Sequence, residues 1–174
     1  KDIAQYTSSE KEESFLKKEM DQIDFVHPDS VLNSYLNGQS FKGRLINANK
    51  LIFPFSYNLS QKQALENALS NSISVIEGPP GTGKTQTILN IIANLVAIHG
   101  KSVAVVSNNN EAVKNVLEKM EKQAYGFLLA MLGKNENQEK FFENMPESNV
   151  EGWNCKETKE ELLAQIETLN IMLN

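Results

Sequence analysis

Two short apolar runs, each followed by a helical repeat, organise the middle of the chain. Ile73, Ser74, Val75, Ile76 and Glu77 form the first run. Residues Ser102 to Val106, reading SVAVV, form the second, a continuous apolar stretch of the kind that marks a parallel strand covered on both faces. Between them, Thr85 to His99 carries a long helical pattern, and Gly100 suits the position just past its end. After the second run, Ser107, Asn108, Asn109 and Asn110 are capping residues for a helix to about Gln123. Its apolar set is Ala112, Val113, Val116, Leu117 and Met120. Ahead of the first run, Ser60 to Leu69 predicts a helix with Ala64, Leu65, Ala68 and Leu69 inward. The order β-loop-α-β-loop-α predicts an α/β fold with a parallel sheet and right-handed crossovers.

The flanks are less regular. Ser9 and Glu12 have capping-box spacing, and Phe15, Leu16, Met20 and Ile23 then share one helical face. A second short helix is expected from Pro28 to Gly38, with Val31, Leu32, Tyr35 and Leu36 apolar. Arg44 to Ile46 and Leu51 to Phe53 are strand candidates, and Pro54 ends the second. Beyond the central block, Phe141 and Phe142 are expected to anchor a polar stretch to the core, and Trp153 to serve as a packing anchor or a surface for a base. Leu162, Ile166, Leu169 and Leu173 alternate steps of four and three, a short heptad seam. An isolated helix of that length is marginal in water, so it is expected to fray or to self-associate with a second copy. These patterns divide the chain into an N-terminal segment 1–56, a central core 57–124 and an insertion 125–174 ending in the heptad helix.

Composition narrows the class. Hydrophobic residues make up 40% and charged residues 22% of the 174, an ordinary globular balance. The longest apolar candidate, Ile88 to Ile98, is interrupted by Asn90 and Asn94 and is too short for a membrane span, so no membrane partner is expected. One cysteine, Cys155, excludes an internal disulfide and a Cys-rich zinc site, and points to a cytoplasmic location. The net charge of −5 does not advertise nucleic-acid binding, although a local basic groove is compatible with it.

The chemistry lies between the two runs. Residues Gly78, Pro79, Pro80, Gly81, Thr82, Gly83, Lys84 and Thr85 read GPPGTGKT, the phosphate-binding loop G-x-x-x-x-G-K-[ST]. The glycines let the backbone turn tightly and aim its N–H groups at a polyphosphate. Lys84 is placed to reach the β- and γ-phosphates, and Thr85 offers a hydroxyl to Mg²⁺. Gln86 completes the expected cofactor-contacting set, and Lys84 and Thr85 are the candidates for a catalytic role. A helix N-terminus behind the loop adds its dipole.

Two further features have a functional and a structural reading each. Gln61 lies 17 residues before Gly78 in the stretch NLSQKQAL. Its amide can donate and accept at once, matching an adenine edge, or it is simply a polar residue in a helix's first turn. Asn109 and Asn110 follow the second run. They are suited to a nucleic-acid phosphate at a helix start, or to plain capping.

Together these residues resemble the superfamily-1 helicases, in particular the group that includes the nonsense-mediated-decay helicase. That group places N-x-S-Q-x-x-A-[VL] ahead of GPPGTGKT at this spacing, then a strand ending in S-N-x-A-V. The stretch Phe53 to Met120 also resembles large bacterial AAA-domain DNA helicases. The resemblance implies a RecA-like core binding ATP and Mg²⁺, with Gln61 as the adenine-reading glutamine. It makes Gly78 to Thr85 motif I, and Asn109 to Val113 the motif that touches single-stranded DNA or RNA. Asn108 stands where the family often has proline. No apolar run ending in Asp-Glu follows Val106, and Arg44 is the only arginine. Hydrolysis uses a magnesium-holding acid and usually an arginine finger. The chain is therefore expected to be the front of a motor domain that binds nucleotide without hydrolysing it alone. The alternatives are a protein-remodelling AAA+ ATPase and a non-catalytic P-loop binding module. A small-molecule kinase would need lid arginines.

Overall fold

The computed structural model describes residues 18, 21–133, 135–143 and 155–173. Contacts divide the chain into two units, residues 1–43 with 71–73, and residues 44–70 with 74–174. In the first unit, helix α1 (Val31–Leu36) starts later than Pro28, because the Ser30 hydroxyl accepts from the Asn33 N–H at 3.1 Å and fixes the N-cap there. Gly38 follows at φ +61°, in the predicted stopping position. Ser9, Glu12, Phe15, Leu16, Met20 and Trp153 lie outside the described residues.

The second unit holds α2 (Leu59–Ser70), α3 (Lys84–Ala93), α4 (Asn110–Lys122), α5 (Asn135–Glu143) and α6 (Lys159–Leu173). Helix α3 runs on into a wider π turn, Asn94–Ile98, closed where the His99 N–H donates to the Asn94 carbonyl at 3.1 Å. Two sides of α3 serve two apolar clusters. Leu89 and Ile92 pack with Val116 and Met120 of α4, bordered by Phe55, Val96, Tyr125 and Leu129. Ile91 and Leu95 border the second cluster, Leu51 with Leu65 and Leu69 of α2. The helical repeats read from the sequence thus identified the faces that are buried.

The expected parallel sheet is not formed, and the α/β reading is corrected on this point: among the described residues there is no strand. Residues 73–77 and 102–106 carry no regular secondary structure, and no ladder hydrogen bond joins them. Val75 is 80% exposed and Val106 90% exposed. An apolar run becomes a strand only when a neighbour supplies a ladder and both faces are covered. Here neither condition is met. The buried apolar area lies instead between helices and the segment 51–56, which carries no regular secondary structure over 51–53, turns at Pro54 and Phe55 and reaches Ser56 at φ +59°; it is called the strap below.

The strap explains why two asparagines interrupt the apolar face of α3. Asn94 pairs with Ile52 as a peptide would, its Oδ1 accepting from the Ile52 N–H at 3.0 Å and its Nδ2 donating to the Ile52 carbonyl at 2.7 Å. One turn earlier, Asn90 Oδ1 accepts from the Phe55 N–H at 3.2 Å, and Nδ2 donates to the Ser56 carbonyl at 2.8 Å. Both asparagines are fully buried. A carboxamide carries the donor and acceptor of a peptide group, so side chains at i and i+4 can take the place of a neighbouring strand. The strand candidate Leu51 to Phe53 is therefore extended, but its partner is a helix.

The heptad helix α6 lies on the same segment. Asn170 Nδ2 donates to the Asn49 and Leu51 carbonyls at 2.8 and 3.0 Å, and Lys50 faces Glu167 at 3.5 Å. Ile166, Leu169 and Leu173 line a groove with Leu51, Phe53 and Tyr57. Phe142 does not anchor α5 as expected: it is 68% exposed, its ring edge-to-face with the half-buried Phe141 at 5.5 Å. Consecutive helical positions diverge by about 100° around the axis, so two adjacent rings cannot both face one core.

A capping box starts α6. The Thr158 N–H donates to Glu161 Oε2 at 2.7 Å, and the Glu161 N–H donates to Thr158 Oγ1 at 3.2 Å. The Thr158 backbone bond, then its hydroxyl, holds the Glu161 carboxyl below its ordinary pKa. A lowered folded-state pKa gives stability that is complete above the unfolded value and lost as pH falls through the folded one. The α6 helix signal in circular dichroism is therefore expected to weaken below the usual carboxylate range, about pH 4. Glu161→Gln should flatten that part of the titration. An identical acid limb in the variant would assign the loss to other carboxylates.

Candidate functional site

Helix α3 begins at the phosphate-loop lysine. Its N-cap is Gly83 at φ +82°, and Gly81 stands at φ +85°, both in the left-handed region. This geometry turns the loop back onto the helix start, where backbone N–H groups and the helix dipole favour an anion. Lys84 Nζ donates to the Gly78 and Pro79 carbonyls, the latter at 2.8 Å. The ammonium thus ties the far end of the loop back to its first two residues. Thr82 Oγ1 donates to the Pro79 carbonyl at 2.8 Å and braces the turn.

Gln61 ties the loop to α2. Its Nε2 donates to the Thr82 and Gly83 carbonyls at 3.3 and 3.2 Å, while Oε1 accepts from the Asn58 N–H at 2.9 Å. Asn58 Oδ1 accepts in return from the Gln61 N–H at 2.9 Å, a reciprocal cap at the start of α2. The amide nitrogen is therefore engaged by the loop, whereas one lone pair of Oε1 has no partner in this set.

A cleft of about 270 Å³ opens beside this junction, lined by Ser56, Tyr57, Asn58, Gln61, Gly81, Thr82, Gly83 and Gln86. Of the sequence-predicted residues, it brings together Gln61, Gly81, Thr82, Gly83 and Gln86. Gly78, Pro79 and Lys84 form the adjoining limb, and Thr85 sits half-buried in the first turn of α3. The strap supplies the opposite wall: Asn90 holds the Ser56 carbonyl, and Tyr57 and Asn58 follow directly. Ser56 and Tyr57 were not picked out from the sequence, and Asn58 was read there only as the first residue of the NLSQKQAL stretch, with no place in the site. The available signal was the pair of asparagines in α3, since buried amides need backbone partners.

Asn109 and Asn110 do not line the cleft. Asn109 is the N-cap of α4, its Oδ1 accepting from the Glu111 N–H at 2.9 Å, and both residues are exposed. Cys155 donates to the Glu157 carboxylate at 3.1 Å, which lowers that carboxyl's pKa.

The cleft suits a nucleotide: positive-φ glycines, a helix N-terminus and an ammonium for the phosphates, and a polar wall for the rest. For a divalent ion, Thr85 offers one hydroxyl, and no cluster of three acidic, histidine or cysteine side chains occurs among the described residues. That donor set fits Mg²⁺ carried largely by phosphate oxygens and water.

Gly83 leaves no room for a side chain. A Cβ there would collide with Gln61 Nε2 and lie 2.9 Å from Gln86 Oε1, at a φ that L-residues avoid. Gly83→Ala is therefore expected to break the Gln61 tie and lower nucleotide affinity at least tenfold, with the loss of about two such contacts. Titration calorimetry measures it. Unchanged affinity would mean the loop binds nothing in this geometry.

The loop, helix start and cleft define a P-loop nucleotide-binding protein. Residues 56–169 match the family model described as an AAA domain, and the chain belongs to that family. It is 46% identical over 63 residues to the Regulator of nonsense transcripts 1 homolog of Drosophila melanogaster, covering 36% of this chain and 5% of the relative. It is 31% identical over 106 residues to the ATP-dependent helicase NAM7 of Saccharomyces cerevisiae, covering 61% and 11%. It is 41% identical over 64 residues to the DNA polymerase alpha-associated DNA helicase A of Schizosaccharomyces pombe, covering 36% and 10%. The match therefore spans about a tenth or less of these relatives. No solved structure matches the chain significantly. No helix among the described residues is long and apolar enough to cross a membrane.

Proposed function

We propose that this chain is the ATP-binding front of an ATP-dependent nucleic-acid helicase or translocase. The observation that carries the reading is the junction of Gln61 with the left-handed turn of the phosphate loop, at the mouth of a cleft walled by the strap. In this reading the loop N–H groups and Lys84 hold the β- and γ-phosphates, and the Thr85 hydroxyl contributes to Mg²⁺, which supplies charge neutralisation when bound. The free lone pair of Gln61 Oε1 accepts from an amino group on the base. Adenine has such an amino group where guanine has a carbonyl, so one hydrogen bond separates ATP from GTP. The helicase names of the similar proteins support the nucleic-acid partner.

Asn109 and Asn110 face that partner in this proposal, through the phosphate backbone and without base code. A cytoplasmic setting belongs to the same reading. The test is ATP hydrolysis by the whole protein with and without single-stranded DNA or RNA. Stimulation by a strand, reduced when Asn109 and Asn110 are both changed to Asp while ATP affinity holds, is the expected result. Hydrolysis indifferent to both strands would refute the helicase reading. An unaltered strand response in the double variant would leave the asparagines a capping role alone.

A further inference from the structure

The cleft has a single aromatic wall. Of its lining residues, Ser56, Asn58, Gln61, Thr82 and Gln86 are polar, two are glycines, and the remaining one is Tyr57. That ring is stacked on Phe53, with centroids 3.9 Å apart and planes 29° apart. Tyr57 also lines the apolar groove on the other side, with Phe53, Leu51 and Leu173. The ring is thus a partition. Phe53 backs it from the groove, and it is still 43% exposed, which leaves surface for the cleft.

Its placement is enforced by the chain around it. The Ser56 carbonyl immediately before it is pinned by Asn90, and the Asn58 N–H immediately after it is pinned by Gln61. Tyr57 therefore stands between two hydrogen-bonded residues, one tied to α3 and the other to the phosphate loop. A half-covered ring in a fixed position, beside an otherwise polar cleft, has the properties of a stacking platform for a flat heteroaromatic group.

We propose that Tyr57 is the residue on which the nucleobase stacks, with Phe53 as the positioning residue behind it. The proposal rests on the nucleotide reading of the phosphate loop and deepens it. Phosphates alone would not use the ring, whereas any nucleoside triphosphate would. Stacking is indifferent to base identity, because every base has a π face. Tyr57 therefore supplies affinity for a base as such, and the choice between bases is left to Gln61.

Calorimetric titration of the whole protein with ATP, GTP and inorganic tripolyphosphate separates these contributions. The wild type should bind ATP more tightly than tripolyphosphate. Tyr57→Leu should weaken ATP and GTP alike by roughly 5- to 100-fold, the scale of one lost aromatic–base stack. Its tripolyphosphate affinity should stay at the wild-type level, which also reports that the loop is intact. Tyr57→Phe should keep wild-type affinities, because the hydroxyl takes no part. Tyr57→Leu that binds ATP as tightly as wild type would overturn the proposal. So would an equal loss for ATP and tripolyphosphate, since the ring would then be only structural. A wild-type protein that binds tripolyphosphate and ATP equally would also overturn it, while leaving the phosphate site standing. Binding of none of the three would bring down the nucleotide reading itself.

Discussion

Replacing Lys84 by Ala is expected to cost the whole protein its ATP binding at working concentrations, and with it ATP turnover. The lysine is exposed, and its Nζ contacts are to two carbonyls of the loop, Gly78 and Pro79, which water can satisfy in its absence. No apolar contact of the two core clusters depends on it. The fold should therefore survive, with an unchanged melting temperature. What disappears is the only ammonium that the loop places at the N-terminus of α3. A charge-assisted contact is worth about 1.5–3 kcal/mol, or roughly 10- to 100-fold in affinity. Turnover should fall further, because negative charge builds on the β-phosphate oxygens as the γ-phosphoryl group departs. A folded Lys84→Ala protein that still binds and hydrolyses ATP at parental rates would remove Lys84 from the mechanism.

Asn94→Leu should be the most destabilising single change among the residues discussed. The side chain is 0% exposed and makes three hydrogen bonds: to both backbone groups of Ile52 and to the Asn90 carbonyl. Leucine keeps the branched shape of asparagine and is somewhat larger, so no cavity complicates the result. The Ile52 N–H and C=O would be left facing an apolar group. An unsatisfied buried polar group costs about 1–3 kcal/mol, which makes a loss of about 2–5 kcal/mol reasonable for the pair. Urea unfolding followed by circular dichroism measures it, with an unchanged m-value as the sign that only the native state was altered. Nucleotide affinity should drop as well, because the released strap carries Ser56, Tyr57 and Asn58 away from the cleft. A variant as stable as the parent would mean that water, and not Asn94, satisfies Ile52.

The local chemistry of the site was legible in the sequence because it depends on few residues at fixed spacing. GPPGTGKT dictates two left-handed glycines and a lysine at a helix start, and all three are found. Helices α2 to α4 were legible from their repeats, since an apolar face at 3.6-residue spacing has few other uses. The sheet was misread because the apolar runs 73–77 and 102–106 show only a capacity for pairing. Whether a ladder forms depends on partners that a single run does not encode. Asn90 and Asn94 were read as interruptions of an apolar stretch. Their meaning depends on backbone groups 34 to 42 residues away, beyond any local pattern. The Thr158–Glu161 capping box, by contrast, was available at three-residue spacing.

The amide clasp on the strap also governs alignment. Apolar contacts tolerate sliding, because one methyl can replace another at little cost. A carboxamide engaging both the N–H and the C=O of Ile52 accepts no such substitution. If the strap slipped by a single residue, Pro54 would approach the pairing with no N–H to give, and the alternating peptide groups would point away from α3. Asn90 and Asn94, one turn apart, therefore act as two index marks that read the strap in whole residues. The spacing between Leu51 in the core and Tyr57 at the cleft is set by counting rather than by packing. A gain or loss of one residue between positions 52 and 56 could not be absorbed by small adjustments elsewhere.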